Sequence, residues 1–301
     1  MDEQTTGSRS SLTPSVPWPV WLLVGGAVVQ LGVQVAPDSY SVFGPYFLVD
    51  AGMVLDWVHA ISLFLLAAAV VLAAGRWPAG RRRLLLGAAA LAVVAVLRMV
   101  SDIWWALWEA YGHTWDVGQP WVPGLYVITG AMFVAAQVLL AAGLWAAAAH
   151  RPMGRSRGVL VAVIGIGGLL ATAAGLWTVA RTLAGEGEHL AYAVAITVLT
   201  AASFAALAAL AMAAARATPR RGGMPEVLVA VGASVSLAAT AWAWSFPYFT
   251  PQVQEVSEDA FIWVFTLPYA AGIAGTLTMV AGFALAGLAL HRARTADDPG
   301  A

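Results

Sequence analysis

The 301-residue chain contains no cysteine and no lysine, and all 15 of its basic residues are arginine. Without cysteine it has no disulfide, no thiolate metal site and no cysteine nucleophile. Without lysine it has neither a retinal-type Schiff base nor a lysine nucleophile. The alanine- and arginine-rich composition that remains is typical of a GC-rich bacterial genome.

Charge of any kind is scarce. Only 10% of the residues are charged, 60% are hydrophobic, and the mean hydropathy is +0.78. Soluble domains carry about a quarter charged residues, so this composition indicates a membrane protein. The net charge of −1 argues against a nucleic-acid partner. The polar N-terminal segment lacks the basic and short apolar regions of a signal peptide, so we expect the first apolar segment to be retained.

Long apolar segments dominate the chain. A helix that crosses the hydrocarbon core of a bilayer needs about 20 mostly apolar residues. The sequence therefore predicts an all-α polytopic membrane protein with eight transmembrane helices, in which a membrane domain at 18–294 lies between polar tails at 1–17 and 295–301. The predicted spans are 18–36, 53–75, 84–109, 123–149, 158–182, 190–215, 225–245 and 261–290. The fourth and eighth are long enough to tilt or to project beyond the lipid.

The arginines cluster on one side of this predicted topology. Thirteen of the 15 lie in the N-terminal tail or just after an even-numbered span: Arg9, Arg76, Arg81, Arg82, Arg83, Arg151, Arg155, Arg157, Arg216, Arg220, Arg221, Arg292 and Arg294. Cytoplasmic loops carry an excess of basic residues, so this side is predicted to be cytoplasmic. We therefore expect a multi-pass protein of a bacterial cytoplasmic membrane, with both termini inside and the lipid bilayer as a partner.

The opposite side is acidic. Its loops and helix ends hold 11 acidic residues against Arg98 and Arg181, a formal charge of −9. These acids are Asp38, Asp50, Asp56, Asp102, Glu109, Asp116, Glu186, Glu188, Glu255, Glu258 and Asp259. Such a field favours cations over anions at an entrance. Alternatively, acidic residues are simply tolerated on the outer side of a membrane.

Two short motifs resemble each other across the chain. The loop after the first span contains VFGPYFLVD and the loop after the seventh contains SFPYFTP, which share Pro-Tyr-Phe at 45–47 and 247–249. Helix starts such as LLLGAAALAVVAV and VLVAVGASVSLAA are similar as well. The pattern fits repeated helical hairpins or two halves of four helices. Alanine- and valine-rich helices also resemble one another by chance.

The third span places charged residues inside an apolar helix, in RMVSDIWWALWEAYGHTWD at 98–116. Arg98, Asp102, Trp105 and Glu109 recur at the spacing of one helical face. Arg98 lies about 10 Å below the outer helix end. Ionisable side chains in hydrocarbon cost ~2.5–3.5 kcal/mol each, so they usually face the bundle interior. The four residues are candidate ligand-binding groups. Alternatively, Arg98 and Asp102 form a structural pair within the helix.

Other polar side chains are predicted at a similar depth. Asp56 and His59 share one face of the second span, where a carboxylate can orient an imidazole. Gln34, Gln137 and Arg181 come from three further spans. Groups from five helices in one depth band predict a polar cavity that opens outward. Alternatively, Asp56 reaches the interface, His59 is a satisfied buried histidine, and the glutamines join helices by hydrogen bonds.

Aromatic residues crowd the same outer side. They flank the outward loops after the first, third and seventh spans, and Trp242 is among them as a ligand-binding candidate. The inner side has little beyond Trp18, Trp21 and Trp77. An aromatic belt at the headgroup level occurs on both faces of a membrane. The asymmetry therefore favours an aromatic-lined outer vestibule over a belt.

No motif identifies a reaction. The chain has no Walker loop, no HExxH, no GxSxG and no DDxxD motif. No two histidines have the spacing of a zinc site or a haem pair, so neither a metal nor a cofactor is predicted. Function must therefore be argued from the polar and aromatic residues alone.

Three functional hypotheses follow. In the first, an outward-facing pocket binds or transports a small amphipathic, hydrophobic or cationic molecule, with Asp56, Asp102 and Glu109 as counter-ions and aromatic rings as cation–π partners. In the second, the protein is a membrane enzyme of the terpene-cyclase type. Protonated Asp102 or Asp56 would then start the cyclisation of a lipid-soluble isoprenoid. In the third, the chain is a structural subunit of a membrane complex, with protein partners that the sequence does not identify.

Overall fold

The structure is a computed structural model that describes residues 46–111, 121–149, 155–183, 190–219, 223–249 and 267–297. These residues form seven α-helices: α1 (Tyr46–Ala73), α2 (Arg81–Tyr111), α3 (Trp121–Ala148), α4 (Arg155–Leu183), α5 (Leu190–Ala217), α6 (Met224–Phe249) and α7 (Leu267–Asp297). Two short 3-10 turns, Ala74–Arg76 and Pro78–Gly80, connect α1 to α2. The chain divides into compact units at 1–51 and 52–301, and the described part of the first is only the start of α1.

All seven described helices are long and apolar enough to cross a membrane. They correspond to the second to eighth predicted spans, and they indicate a multi-pass membrane protein. The first predicted span, 18–36, lies outside the described residues together with Gln34. The prediction of an all-helical membrane protein is thus confirmed for the described part of the chain, while the first span, and with it the total of eight, stays a prediction.

Several helices extend beyond the predicted spans. Helix α1 begins at Tyr46, inside the predicted loop 37–52, and α6 continues to Phe249. Helix α7 continues to Asp297, well beyond position 290. Hydropathy indicates which residues prefer lipid, but backbone hydrogen bonding lets a helix continue into water. The shared Pro-Tyr-Phe motif consequently opens a helix at Tyr46 and closes one at Phe249, and the internal repeat stays a prediction.

Helix α5 occupies the centre of the described bundle. It packs against α3, α4 and α6, while α2 packs against α3 and α6 against α7. Leu72 of α1 lies against Gly287 of α7. The main core is built from small and branched apolar side chains of α1, α2, α3, α5, α6 and α7, with Trp77 and Phe283 as its largest members. The predicted spans therefore assemble into a bundle with a shared apolar core.

Helix α4 is the most exposed of the seven. It packs mainly on α5, and its large apolar side chains Leu169, Leu170 and Trp177 are 72%, 68% and 70% exposed. Lipid tails are as apolar as leucine, so such a surface is stable in a bilayer and unstable in water. The exposure of α4 is a second, independent indication of a membrane protein.

Helices α6 and α7 cross at two glycines. A Cβ atom added to Gly232 would lie 2.5 Å from the carbonyl oxygen of Gly275, and one added to Gly275 would lie 2.7 Å from that of Gly232. Contacts this short leave no room for a Cβ atom, so both positions require glycine. The two glycines therefore fix how closely α6 and α7 approach.

Most hydroxyl groups within the bundle bond to their own helix. Thr172, Thr200, Ser234, Thr240, Thr276 and Thr278 each donate a hydrogen bond to the carbonyl oxygen four residues earlier. A hydroxyl satisfied in this way is tolerated in an apolar helix. The groups left for binding are consequently the charged, amide and imidazole side chains.

Candidate functional site

Helices α1 and α7 are joined by a hydrogen bond between side chains that are far apart in the sequence. The hydroxyl of Tyr269 donates to Oδ1 of Asp56. Tyr269 lies in the first turn of α7, and Asp56 lies about three turns into α1. The bond brings together the N-terminal parts of two helices, at the end of the bundle away from Arg76.

His59 lies one turn after Asp56 and contacts the same tyrosine. The ring centroids of His59 and Tyr269 are 5.7 Å apart, with their planes at 40°. The Nδ1 atom of His59 is buried and has no hydrogen-bond partner among the described residues. Buried polar atoms nearly always have a partner, so an unpaired imidazole nitrogen marks a place where a ligand atom or a water can bind.

Arg98 of α2 completes this group, which we call the polar cluster: Asp56, His59, Arg98 and Tyr269. Arg98 is half-buried, and its positive charge acts on the imidazole of His59. The cluster therefore combines one carboxylate, one guanidinium, one imidazole and one phenol from three helices. Of the polar residues that the sequence places at one depth, Asp56 and His59 both contact Tyr269 in the structure.

Helix α2 is continuous from Arg81 to Tyr111. Asp102, Trp105 and Glu109 therefore lie on the same helix face as Arg98, as their spacing predicts. The side chains of these three residues lie outside the description, so the proposed Arg98–Asp102 pair stays a prediction. Among the aromatic residues predicted to line the vestibule, the side chains of Trp57 and Tyr269 are described.

The remaining predicted site residues are spread over other helices. The backbone of Trp242 lies on α6 about level with Tyr269, since Ala239 contacts Gly272. Arg181 lies near the end of α4, and the side chains of Trp242 and Arg181 are outside the description. Gln34 lies outside the described residues altogether. Neither Trp242 nor Arg181 can thus be assigned a contact with the polar cluster.

Gln137 lies deeper in the bundle. Gly87 of α2 lies against Ala136 and Leu140 of α3, so Gln137 is level with Gly87. From there to Arg98 is about three turns, or roughly 16 Å along α2. Gln137 is 3% exposed, and its Oε1 has no partner within the described part of the chain. Gln137 is therefore separate from the polar cluster, and its role in ligand binding stays a prediction.

A second group of polar contacts lies at the opposite end of the bundle, where Arg76, Arg81, Arg82, Arg83, Arg216 and Glu226 lie near helix ends. We call it the arginine-rich end. Oε1 of Glu226 accepts a hydrogen bond from Nε of Arg76 at 3.1 Å and lies 3.0 Å from Nη2 of the same guanidinium. Glu226 is 1% exposed, Arg76 is 25% exposed, and Oε2 of Glu226 has no partner among the described residues. This ion pair joins the turn after α1 to the first turn of α6.

Arginine also contacts tryptophan at this end. The guanidinium of Arg216 lies 4.5 Å from the ring centroid of Trp145, within the range of a cation–π interaction. Trp145 lies near the end of α3, so the arginine-rich end holds more aromatic surface than the three tryptophans predicted from the sequence. That prediction overlooked Trp145.

Sequence reasoning also missed Tyr269 and Glu226 as members of polar groups. Tyr269 was one of many aromatic residues on its side, and no pattern distinguished it. Glu226 carried a usable signal, because it is the only acidic residue on the arginine-rich side outside the two terminal segments. A lone carboxylate among arginines predicts an ion pair.

Within the described residues, no three histidine, aspartate or glutamate side chains lie close enough to hold one metal ion. The chain matches no protein-family model, no curated protein and no solved structure.

Proposed function

We propose that the polar cluster is part of an outward-facing pocket that binds or transports a small amphipathic molecule. The observation that carries this proposal is the unpartnered Nδ1 of His59, buried beside the Tyr269–Asp56 hydrogen bond. A site of this composition offers a hydrogen-bonding nitrogen, a carboxylate and an aromatic face to one ligand.

The charges of the cluster refine the expected ligand. Asp56 and Arg98 offset each other formally, so the cluster alone does not select a simple cation. The acidic residues of the predicted outward loops add a negative charge on this side, which favours a ligand with a partly cationic head. We therefore propose a molecule with a polar head that bonds to His59 and Asp56, and an apolar body that lies against aromatic rings.

The proposed orientation places the polar cluster toward the outside of a bacterial cytoplasmic membrane, with both termini in the cytoplasm. It is supported by the grouping of arginines at the other end of the bundle. In this orientation the ligand enters from the outer aqueous side or the outer leaflet.

A second candidate function is supported by the contact between Asp56 and Tyr269. An acid next to an aromatic ring is the arrangement that starts and stabilises a carbocation in acid-initiated isoprenoid cyclisation. In that case Asp56 would donate the proton, and Asp102 is the other candidate donor. A structural subunit of a membrane complex is the third possibility, and it requires no ligand.

Ligand binding and cyclisation can be separated with the purified full-length protein. Equilibrium dialysis in detergent with labelled dodecylammonium, an amphipathic cation whose N–H groups can donate to His59 and Asp56, measures binding. Asp56→Asn should weaken binding by about tenfold, because it removes a charged partner. Tyr269→Phe should weaken it by roughly threefold, since the lost hydrogen bond only positions Asp56.

Thr278→Val is the matched control for Tyr269→Phe. It also removes one hydroxyl, and that hydroxyl bonds to the carbonyl of Ala274 in its own helix. Incubation with labelled geranylgeraniol and squalene tests the enzyme hypothesis in the same preparation. A cyclised product that forms with the wild-type protein but not with Asp56→Asn would support the cyclase hypothesis and overturn the binding proposal. If neither a cyclised product nor saturable binding is detected, the structural-subunit hypothesis remains.

A further inference from the structure

We propose that the arginine-rich end holds a binding site for the phosphate group of an anionic phospholipid, between Arg83 and Arg216 and against Trp145. This site is independent of the polar cluster at the other end of the bundle. Three observations support it: the position of the two arginines, an unsatisfied arginine nitrogen, and the exposed apolar surface beside them.

Arg83 and Arg216 approach the same turn of α3 from two different helices. Nη1 of Arg83, on α2, donates to the carbonyl oxygen of Ala142 at 3.4 Å. The guanidinium of Arg216, on α5, lies over the ring of Trp145. Ala142 and Trp145 are three residues apart and so share a face of the helix. The two positive charges consequently flank one short stretch of α3.

The hydrogen-bonding capacity of these arginines is largely unused. Nε of Arg216 is buried and has no partner among the described residues. The bond from Arg83 to Ala142 is long for an N–H···O contact. In contrast, Arg76 at the same end is neutralised by Glu226. Planar guanidinium groups bind phosphate through paired hydrogen bonds, so a phosphate between Arg83 and Arg216 satisfies both groups.

Helix α2 adds a further attraction for an anion. Its first turn contains Arg81, Arg82 and Arg83 and no acidic residue. The N-terminus of a helix carries a partial positive charge, so three arginines there are mutually unfavourable unless an anion is present. An anion beside Arg83 therefore relieves repulsion that the described residues leave uncompensated.

The surface next to the site indicates a lipid rather than a free anion. Trp145 is 42% exposed, and Val138 on the same helix is 49% exposed. Both are on a helix that is apolar and long enough to span a bilayer. Acyl chains can therefore cover this surface while the headgroup lies between the arginines. Basic pockets between transmembrane helices bind anionic headgroups in this manner.

Native mass spectrometry of the full-length protein in detergent tests the site. Dioleoylphosphatidylglycerol is titrated, and dioleoylphosphatidylcholine serves as the zwitterionic comparison. We expect phosphatidylglycerol to bind more tightly, and Arg216→Gln or Arg83→Gln to weaken its binding by about tenfold, equivalent to ~1.4 kcal/mol. Arg82→Gln is the matched control, because it removes the same charge from the same exposed run but has no hydrogen bond to α3 among the described residues, and it should weaken binding by less than twofold.

Two further measurements distinguish the alternatives. Arg216→Lys keeps the charge and the fold but lacks the planar fork, so it should weaken binding by roughly threefold. Equal losses in Arg82→Gln and Arg216→Gln would show a diffuse charge effect and overturn the site. Displacement of the lipid by an equal concentration of inorganic phosphate would show a free-anion site and overturn the assignment to lipid.

Discussion

At the scale of single residues, the two ends of the bundle stabilise their carboxylates in different ways. Asp56 receives a hydrogen bond from a neutral phenol and shares its cluster with Arg98, whereas Glu226 forms a direct ion pair with Arg76. A buried carboxylate costs several kcal/mol unless it is paired. Glu226 is almost fully buried, so its stability depends on Arg76 much more than that of an exposed acid would.

Replacing Glu226 tests this dependence. Glu226→Ala leaves Arg76 without a partner and creates a cavity, and we expect a loss of about 2 kcal/mol in the free energy of unfolding. This is below the ~3–5 kcal/mol of a fully buried pair, because Arg76 is partly exposed and can reach water. Thermal unfolding in detergent measures the effect.

Two variants serve as controls for Glu226→Ala. Glu226→Gln keeps the side-chain volume and an acceptor oxygen, so it should lose less stability. Arg292→Gln, at an exposed position, should change the stability little. Equal melting temperatures for Glu226→Ala and wild type would contradict the pairing.

At the scale of helices, close backbone approach decides which elements pack tightly. Helices α6 and α7 meet at Gly232 and Gly275, whereas α4 meets the bundle mainly through α5. Without a hydrophobic effect between helices in lipid, tight packing of small residues is a principal source of helix association. The α6–α7 pair is consequently sensitive to a side chain added at either glycine.

Gly275→Val should separate α6 from α7. Its Cβ would lie within 2.8 Å of backbone atoms of α6, which cannot move as a flexible side chain could. We expect destabilisation by roughly 2–4 kcal/mol, the range of overpacking at a rigid contact. Gly167→Ala is the control, because a Cβ there meets nothing within 4 Å and alanine favours the helix. A control that unfolds as readily as Gly275→Val would show that the crossing is not the cause.

At the scale of the whole molecule, the separation of the polar cluster from the arginine-rich end gives the bundle two chemically different ends. The distribution of arginine predicts which end faces the cytoplasm. Because the natural chain has no cysteine, single cysteines can report the orientation without background labelling.

Ala293→Cys lies at the exposed C-terminal part of α7, and Ser257→Cys lies in the predicted outward loop. In intact cells, a membrane-impermeant maleimide should label Ser257→Cys and should label Ala293→Cys only after the membrane is permeabilised. The unmodified chain is the control and should not react. The reverse labelling pattern would place the polar cluster in the cytoplasm and remove the basis for an outward-facing pocket.

Composition and periodicity predict that the described chain forms long apolar helices, where most of these helices lie, and which end carries the arginines. These properties depend on local composition and period, which each segment carries alone. Periodicity also places Asp56 and His59 on one face of a helix. The packing of the helices was needed to show that Tyr269 bonds to Asp56, that Arg76 pairs with Glu226, and that Gln137 lies about three turns from Arg98 along the bundle. Such pairings depend on which helices are neighbours and at what register, and apolar helices of similar composition do not specify their neighbours through periodicity.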